Sequence, residues 1–105
     1  MKAAKTKTRA WDAAVYLDTP RARAGYLQAA LEDGDPAVVA AALGDVARAS
    51  GMARVAHEAG LGRESLYKAL SRNGNPELAT VLRVLAALGI ELRATAKSRR
   101  TTRAS

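Results

Sequence analysis

The sequence predicts a small all-α domain of five short helices. Residues that favour helix N-caps stand directly before proline at Thr19-Pro20, Asp35-Pro36 and Asn75-Pro76, a common signature of a helix start. Leucine, valine and alanine recur at helical spacing after each start. Alanine supplies much of the apolar content of 49%, and such small side chains suit closely packed short helices better than a β-sandwich. At 105 residues the chain has room for one domain.

The first two helices follow the first two start signals. The first is predicted to run from Pro20 to about Asp33 and to end at Gly34, with an inward face of Tyr26, Leu27, Ala30 and Leu31. The second is predicted to run from Pro36 to about Ser50, with Val39, Leu43 and Val46 at i, i+4 and i+7. Gly44 inside it costs around 1 kcal/mol relative to alanine, and a close helix contact would account for its presence.

Residues 52–71 predict two further helices joined by a tight turn, around which the chain is organised. Gly60 stands where the chain must reverse, at a position that often needs a positive φ. Leu61 fills the turn, and the small side chain of Ala56 lets the two helices cross closely. This is the helix-turn-helix arrangement, in which the second helix lies in the DNA major groove.

The second helix of this pair has an inward face and an outward face. Packing of Leu66, Ala69 and Leu70 against the body leaves five longer or polar side chains outside: Arg63, Glu64, Tyr67, Lys68 and Ser71. Arginine can read a guanine edge, lysine a guanine or a phosphate, and serine a base or the backbone. We therefore predict DNA contacts here, with Arg54 and Arg72 on flanking phosphates. An ordinary helical hairpin with a solvated outer face is the alternative.

The last helix is predicted from the Asn75-Pro76 start to Gly89, with one apolar stripe of Leu78, Val81, Leu82, Leu85 and Leu88. Residues 90–96 then alternate apolar and polar side chains, which predicts a short β-strand. A lone strand needs a partner, either the segment 11–17, the same strand of a second copy, or another protein. Pairing across a twofold would give a homodimer that matches a palindromic operator.

The net charge of +7 is unevenly placed. Residues 1–10 and 97–105 carry eight of the basic residues, and we expect them to be a disordered basic arm and tail on a domain at 11–96. Within that domain, segment 11–46 has two basic against six acidic residues, a balance of −4, whereas segment 48–72 has five against two, a balance of +3. This split is typical of a protein with two different partners, although charge scattered by chance is the alternative.

Several classes of function are not expected. No segment approaches about 18 consecutive apolar residues, and no hydrophobic core of signal-peptide type follows the basic N-terminus, so we expect neither a membrane span nor export. The absence of cysteine fits a cytoplasmic protein. His57 is the only histidine and is expected on an exposed helix face. With no metal-ligand spacing and no phosphate-binding glycine loop, we expect no metal, no cofactor and no enzymatic activity.

Three phrases, EDGDPA at 32–37, AALGDVARA at 41–49 and LYKALS at 66–71, are together far more specific than a helix-turn-helix alone. With Gly60-Leu61, Gly74-Asn75-Pro76 and the closing Gly89, they resemble the HigA-like addiction module antidote proteins over roughly residues 11–95. The resemblance implies a λ-repressor-like (Xre/Cro) fold. It also implies an antitoxin of a type II toxin–antitoxin pair, which neutralises a RelE/ParE-like (HigB-like) toxin by direct binding and represses the shared operon on double-stranded operator DNA.

The resemblance also implies roles for residues. DNA would be contacted by Arg63, Glu64, Tyr67, Lys68 and Ser71. Gly62 departs from the family pattern, which usually has a capping serine there; this costs only a few tenths of a kcal/mol but can remove a phosphate contact. The acidic half is expected to meet the toxin, through Asp18, Glu32, Asp33 and Asp35. A stand-alone regulator of phage-repressor type, without a toxin, is the alternative function.

Overall fold

The structure is a computed structural model that describes residues 17–97, and within this range the chain forms five α-helices. They are α1 (Pro20–Asp33), α2 (Pro36–Ser50), α3 (Met52–Ala59), α4 (Arg63–Ala69) and α5 (Leu78–Leu88). The predicted all-α fold of five helices is confirmed. None of these helices combines the length and the apolar character needed to cross a bilayer. The predictions for the basic arm, for most of segment 11–17 and for the tail from 98 onward fall outside the described residues.

The first two helices start as the sequence predicts. The Thr19 hydroxyl accepts a hydrogen bond from the Ala22 amide at 3.1 Å, and the Asp35 carboxylate accepts one from the Ala37 amide at 2.9 Å. Each cap is followed by proline in the first turn, where its missing N–H costs nothing. The side-chain oxygens therefore satisfy amide donors that a helix start would otherwise leave without partners.

The core lies between α2, α3 and α5, with α1 and α4 packed against it. Val46, Val55 and Val84 come from these three helices and are fully buried. Leu17, ahead of α1, is buried as well. Helix α1 packs mainly on α2, and α3 packs mainly on α5. Ala56, the small side chain predicted at the crossing of α3 and α4, is buried in α3.

A polar link joins the exposed sides of α1 and α2. The Tyr26 hydroxyl donates a hydrogen bond of 2.5 Å to Asp45, whose other oxygen accepts one of 2.7 Å from Arg48. Burial of the ring, and secondarily the bond to Asp45, raise the pKa of Tyr26 to about 12. Tyr26 is thus half-buried at the edge of the interface between the two helices.

The predicted start of the last helix is wrong by two residues. Helix α5 begins at Leu78 with Glu77 as its N-cap, and no side chain caps it. Asn75 and Pro76 lie in the extended loop before it. The φ that proline fixes suits an extended segment as well as a first helical turn, so the Asn-Pro pair did not determine the boundary.

Three leucines that were predicted to face inward are exposed instead. Leu78 of α5 is 69% exposed, Leu82 is 47% exposed, and Leu31 of α1 is 40% exposed. In α5 the buried face is formed by Val84, Leu85 and Leu88. The predicted stripe was wider than the surface that α2 and α3 can cover, so its outer edge remains at the surface of the folded chain.

The predicted strand at 90–96 is also wrong, because the structure assigns no strand anywhere in residues 17–97. Ile90 is half-buried against the core, and the residues from Glu91 to Lys97 are exposed. An isolated strand leaves its backbone donors and acceptors without partners, and the described part of the chain supplies no second strand to pair with it.

Gly44 makes the close helix contact that its position in α2 predicted. It is buried, and a Cβ built on it would overlap the backbone oxygen of Leu70, at the C-terminal end of α4. Backbone atoms cannot move aside as the tip of a flexible side chain can. The absence of a side chain at Gly44 therefore lets the C-terminal end of α4 approach the α2 backbone closely.

We expect Gly44→Ala to lower the free energy of unfolding by about 1–3 kcal/mol, because the added methyl group is forced into the Leu70 carbonyl. Gly25→Ala is the matched control, since Gly25 is an exposed residue of α1 with no atom within 4 Å of a built Cβ. It should raise the same free energy by about 0.5–1 kcal/mol. Urea denaturation measures both, and a shift of both variants in the same direction would contradict the Gly44 contact.

Candidate nucleic-acid interface

Helices α3 and α4 are joined by a three-residue turn at 60–62, as predicted. Gly60 has a left-handed conformation, with φ 71° and ψ 34°. The amide of Gly60 donates to the His57 carbonyl at 3.1 Å, and the amide of Leu61 donates to the Ala56 carbonyl at 2.9 Å. These bonds satisfy the last carbonyl groups of α3 and reverse the chain within one residue. The entry angle of α4 is therefore fixed by backbone geometry.

Helix α4 is held by its inner side and by its C-terminal end. Leu66 and Leu70 are each only 1% exposed in the core. Gly74, in the following loop, lies so close that a Cβ on it would overlap the carbonyl groups of Lys68 and Ala69. Gly44 and Gly74 thus both bring backbone close to the end of the helix. Only the outer side and the N-terminal end of α4 remain free.

The outer side of α4 brings together the side chains predicted to contact DNA. Arg63, Glu64, Tyr67 and Lys68 are exposed, and Ser71 is half-buried just beyond the helix. Glu64, Tyr67, Lys68 and Ser71 also line one shallow depression together with Ser65. The arrangement presents donors, an acceptor and one aromatic ring on a single convex helix, which can contact base edges and phosphates of a duplex.

The ring of Tyr67 lies beside the Arg63 side chain. The Arg63 guanidinium carbon lies 5.8 Å from the centre of the Tyr67 ring, within the range of a cation–π contact. The ring is 39% exposed, so it is neither part of the core nor free of the helix surface. Tyr67 thereby limits the orientations available to Arg63. The i, i+4 spacing of the pair signals this contact in the sequence, although Tyr67 was predicted only to contact DNA and not to pair with Arg63.

Two predicted contact residues are engaged within the protein. The Arg54 guanidinium binds Glu58 at 3.0 Å and reaches the backbone oxygens of Ser50 at 3.4 Å and Ala87 at 3.5 Å, which ties α3 to the end of α5. The Ser71 hydroxyl donates to the Lys68 carbonyl at 3.0 Å. A DNA contact by either would compete with these bonds. Arg72 is exposed and stands at the end of the cleft between α1 and α2.

Gly62 has the backbone of an N-cap without a capping group. Its φ of −73° and ψ of 139° are those of an N-cap residue, and no side chain accepts from the first amides of α4. A Cβ there would meet nothing closer than the Ser65 hydroxyl at 3.8 Å, an ordinary contact. The start of α4 therefore has no side-chain cap.

The four predicted toxin-contact residues are exposed but do not form one cluster. Asp18 lies ahead of α1, whereas Glu32, Asp33 and Asp35 lie at the other end of that helix, where α1 meets α2. Asp33 accepts from the Asp35 amide at 3.2 Å. Because Asp35 caps α2, replacing it would affect the helix as well as any partner.

The remaining polar side chains of residues 17–97 form no metal-binding group. Within residues 17–97, no three histidine, cysteine or acidic side chains are grouped to hold a metal ion. His57 is exposed on α3, as predicted.

Comparison with known proteins identifies the family. Residues 7–96 match the profile of a family described as "Probable addiction module antidote protein". The chain belongs to this antidote family. It is also 42% identical over 81 residues to a Haemophilus influenzae protein described as "Uncharacterized protein", an alignment that covers 77% of this chain and 84% of the relative. No solved structure matches the chain.

Family membership confirms the coarser part of the functional prediction. The antidote of an addiction module is an antitoxin, so this chain has a toxin as its partner. Antidotes act by binding rather than by catalysis, which agrees with the prediction that the chain is not an enzyme.

Proposed function

We propose that this antidote neutralises a RelE/ParE-like toxin by direct binding and represses its own operon by reading operator DNA with α4. The observation that supports DNA reading is that α4 is fixed on one side and exposed on the other. Its apolar side and C-terminal end are fixed by Leu66, Leu70 and two close glycine contacts, while its long polar side chains stay outside. A helix held in this way can enter a major groove without rearrangement of the domain.

The charges around α4 favour a polyanion. Segment 48–72 carries five basic against two acidic residues, and the basic residues of α4 and its exit are Arg63, Lys68 and Arg72. Phosphate contacts of this kind supply most of the affinity for any duplex, whereas base contacts supply the specificity. The alternative, a helical hairpin whose outer face only meets solvent, gives no reason for the contact of the exposed Arg63 with the Tyr67 ring.

The exposed side chains can be given separate roles. Arg63, oriented by Tyr67, reads a guanine edge as a bidentate donor. Glu64, in the first turn, can accept from a cytosine amino group, and Lys68, in the last turn, contacts a guanine or a phosphate.

Arg63→Ala should weaken binding to the antidote's own promoter by about 1–3 kcal/mol, because a bidentate base contact is lost, and should change binding to random DNA little. Arg21→Ala is the control, since Arg21 is an exposed arginine of α1. Titrations with promoter and scrambled duplexes at one fixed salt concentration measure both. Equal losses of Arg63→Ala on the two duplexes would refute base reading.

We further propose that the antidote binds DNA as a homodimer. Leu78, Leu82 and Ala86 are exposed at i, i+4 and i+8, which forms an apolar stripe along the outside of α5. A second copy can cover this stripe by helix-to-helix packing about a twofold axis. Such a dimer presents two copies of α4 to successive major grooves, about 34–36 Å apart, as a palindromic operator requires.

Leu82→Lys should convert the dimer into a monomer, because it places a charge in the centre of the apolar stripe. Light scattering coupled to gel filtration should show the mass of one chain instead of two. Leu92→Lys is the control, since Leu92 is equally exposed, at 47%, but lies beyond α5. A dimer that survives Leu82→Lys would exclude this face of α5 as the interface.

A further inference from the structure

A second surface, on the side of α1 and α2, carries the opposite charge and an apolar groove. The groove has a volume of about 410 Å³ and lies where the end of α1, the start of α2 and the loop before α5 meet. Its apolar lining includes Leu31, Pro36, Val39, Leu43, Pro76 and Val81. It shares no lining residue with the outer face of α4.

The groove has a fixed floor and an accessible wall. Leu43 and Ala40 at its floor are each 1% exposed, so they belong to the core and do not move easily. Val39, Pro76 and Val81 are half-buried, and Leu31 is 40% exposed. The groove is therefore a preformed concavity that can take one or two apolar side chains of a partner.

Three acidic residues directly neighbour lining residues of the groove in the sequence. Asp35 stands between the lining residues Gly34 and Pro36, Glu32 follows Leu31, and Glu77 follows Pro76. All three are exposed, and none of them forms an ion pair within residues 17–97. No lysine, arginine or histidine occurs between residues 24 and 47. An apolar floor beside acidic residues is complementary to an apolar segment flanked by basic side chains.

We propose that this groove is the docking site for the toxin, and that it receives a segment of the toxin with one or two apolar side chains flanked by lysine or arginine. The apolar side chains enter between Leu31, Val39 and Val81, and the basic side chains approach Glu32, Asp35 and Glu77. The proposal rests on direct binding of the toxin by the antidote. Because the groove and the α4 face are separate, one antidote can present both to its two partners.

The test uses the toxin encoded beside the antidote gene, co-expressed with full-length antidote. Leu31→Lys should weaken toxin binding by about tenfold or more, because it fills the groove and places a positive charge against a basic partner. Leu31 is at the surface, so the variant should fold. Leu92→Lys, another exposed leucine outside the groove, should bind the toxin as the unaltered protein does. Calorimetry measures the affinities, and growth rescue of toxin-expressing cells reports the same difference in vivo.

A second variant tests the acidic residues beside the groove without touching the apolar lining. Glu32→Lys should weaken toxin binding and reduce its dependence on salt, because a complementary charge pair becomes repulsive. Glu32 is preferable to Asp35, whose side chain caps α2. Both variants should bind promoter DNA normally, which separates this proposal from the role of α4.

Several results would overturn the docking site. Toxin binding that is unchanged in both Leu31→Lys and Glu32→Lys would exclude the groove, while leaving direct neutralisation intact. Loss of the dimer in Leu31→Lys, with toxin affinity unchanged, would assign the groove to a second copy. Tighter toxin binding by Leu31→Lys would contradict a basic partner segment at the groove. If the unaltered antidote failed to bind the toxin, direct neutralisation would fail as well.

Discussion

The close approach of backbone to backbone at the end of α4 is the contact on which the rest of the structure depends. Gly44 of α2 lies against the Leu70 carbonyl, and Gly74 lies against the carbonyls of Lys68 and Ala69. Helix α4 has only seven residues, too few to be stable by its own hydrogen bonds in water. Its position is therefore imposed by the body of the protein, through these two glycines and two buried leucines. The outer side chains stay exposed because only the inner side and the C-terminal end of the helix pack against the protein.

The position of α4 leaves two differently charged regions on separate parts of the protein. The basic side chains of α4 and its exit lie on the face that we propose to meet DNA, whereas the acidic residues 32, 33 and 35 lie where α1 meets α2, near an apolar groove. The surfaces proposed for the two partners, one basic and one acidic, thus lie on different parts of an 11.0 kDa protein. Since the buried valines of α2, α3 and α5 belong to one core cluster, both surfaces are carried by one packed unit.

Most of the fold was predictable because the helix starts and helix ends marked in the sequence agree with the way the helices pack. Thr19-Pro20 and Asp35-Pro36 mark two helix starts, and Gly34, Gly60 and Gly89 end three helices. Because Leu66 and Leu70 face the core, the helical spacing also predicts which side chains of α4 face outward. The predictions that were wrong depend on contacts between residues that are distant in the sequence. Whether Leu31, Leu78 and Leu82 are covered depends on which neighbours reach them, and the alternation at 90–96 could not reveal that the described chain has no partner strand. The stacking of Arg63 on Tyr67 and the groove beside Leu31 depend on positions in space.

The most direct test is to map the promoter contact on the protein by NMR. A duplex that carries the promoter of the antidote's own operon is titrated into isotope-labelled full-length protein, and backbone amide shifts are followed at fixed salt. We expect the largest changes at residues 62–72, with residues 31–43 nearly unchanged. Shifts that are largest at 31–43, or no specific shifts at 62–72, would contradict the assignment of α4 as the DNA-reading element.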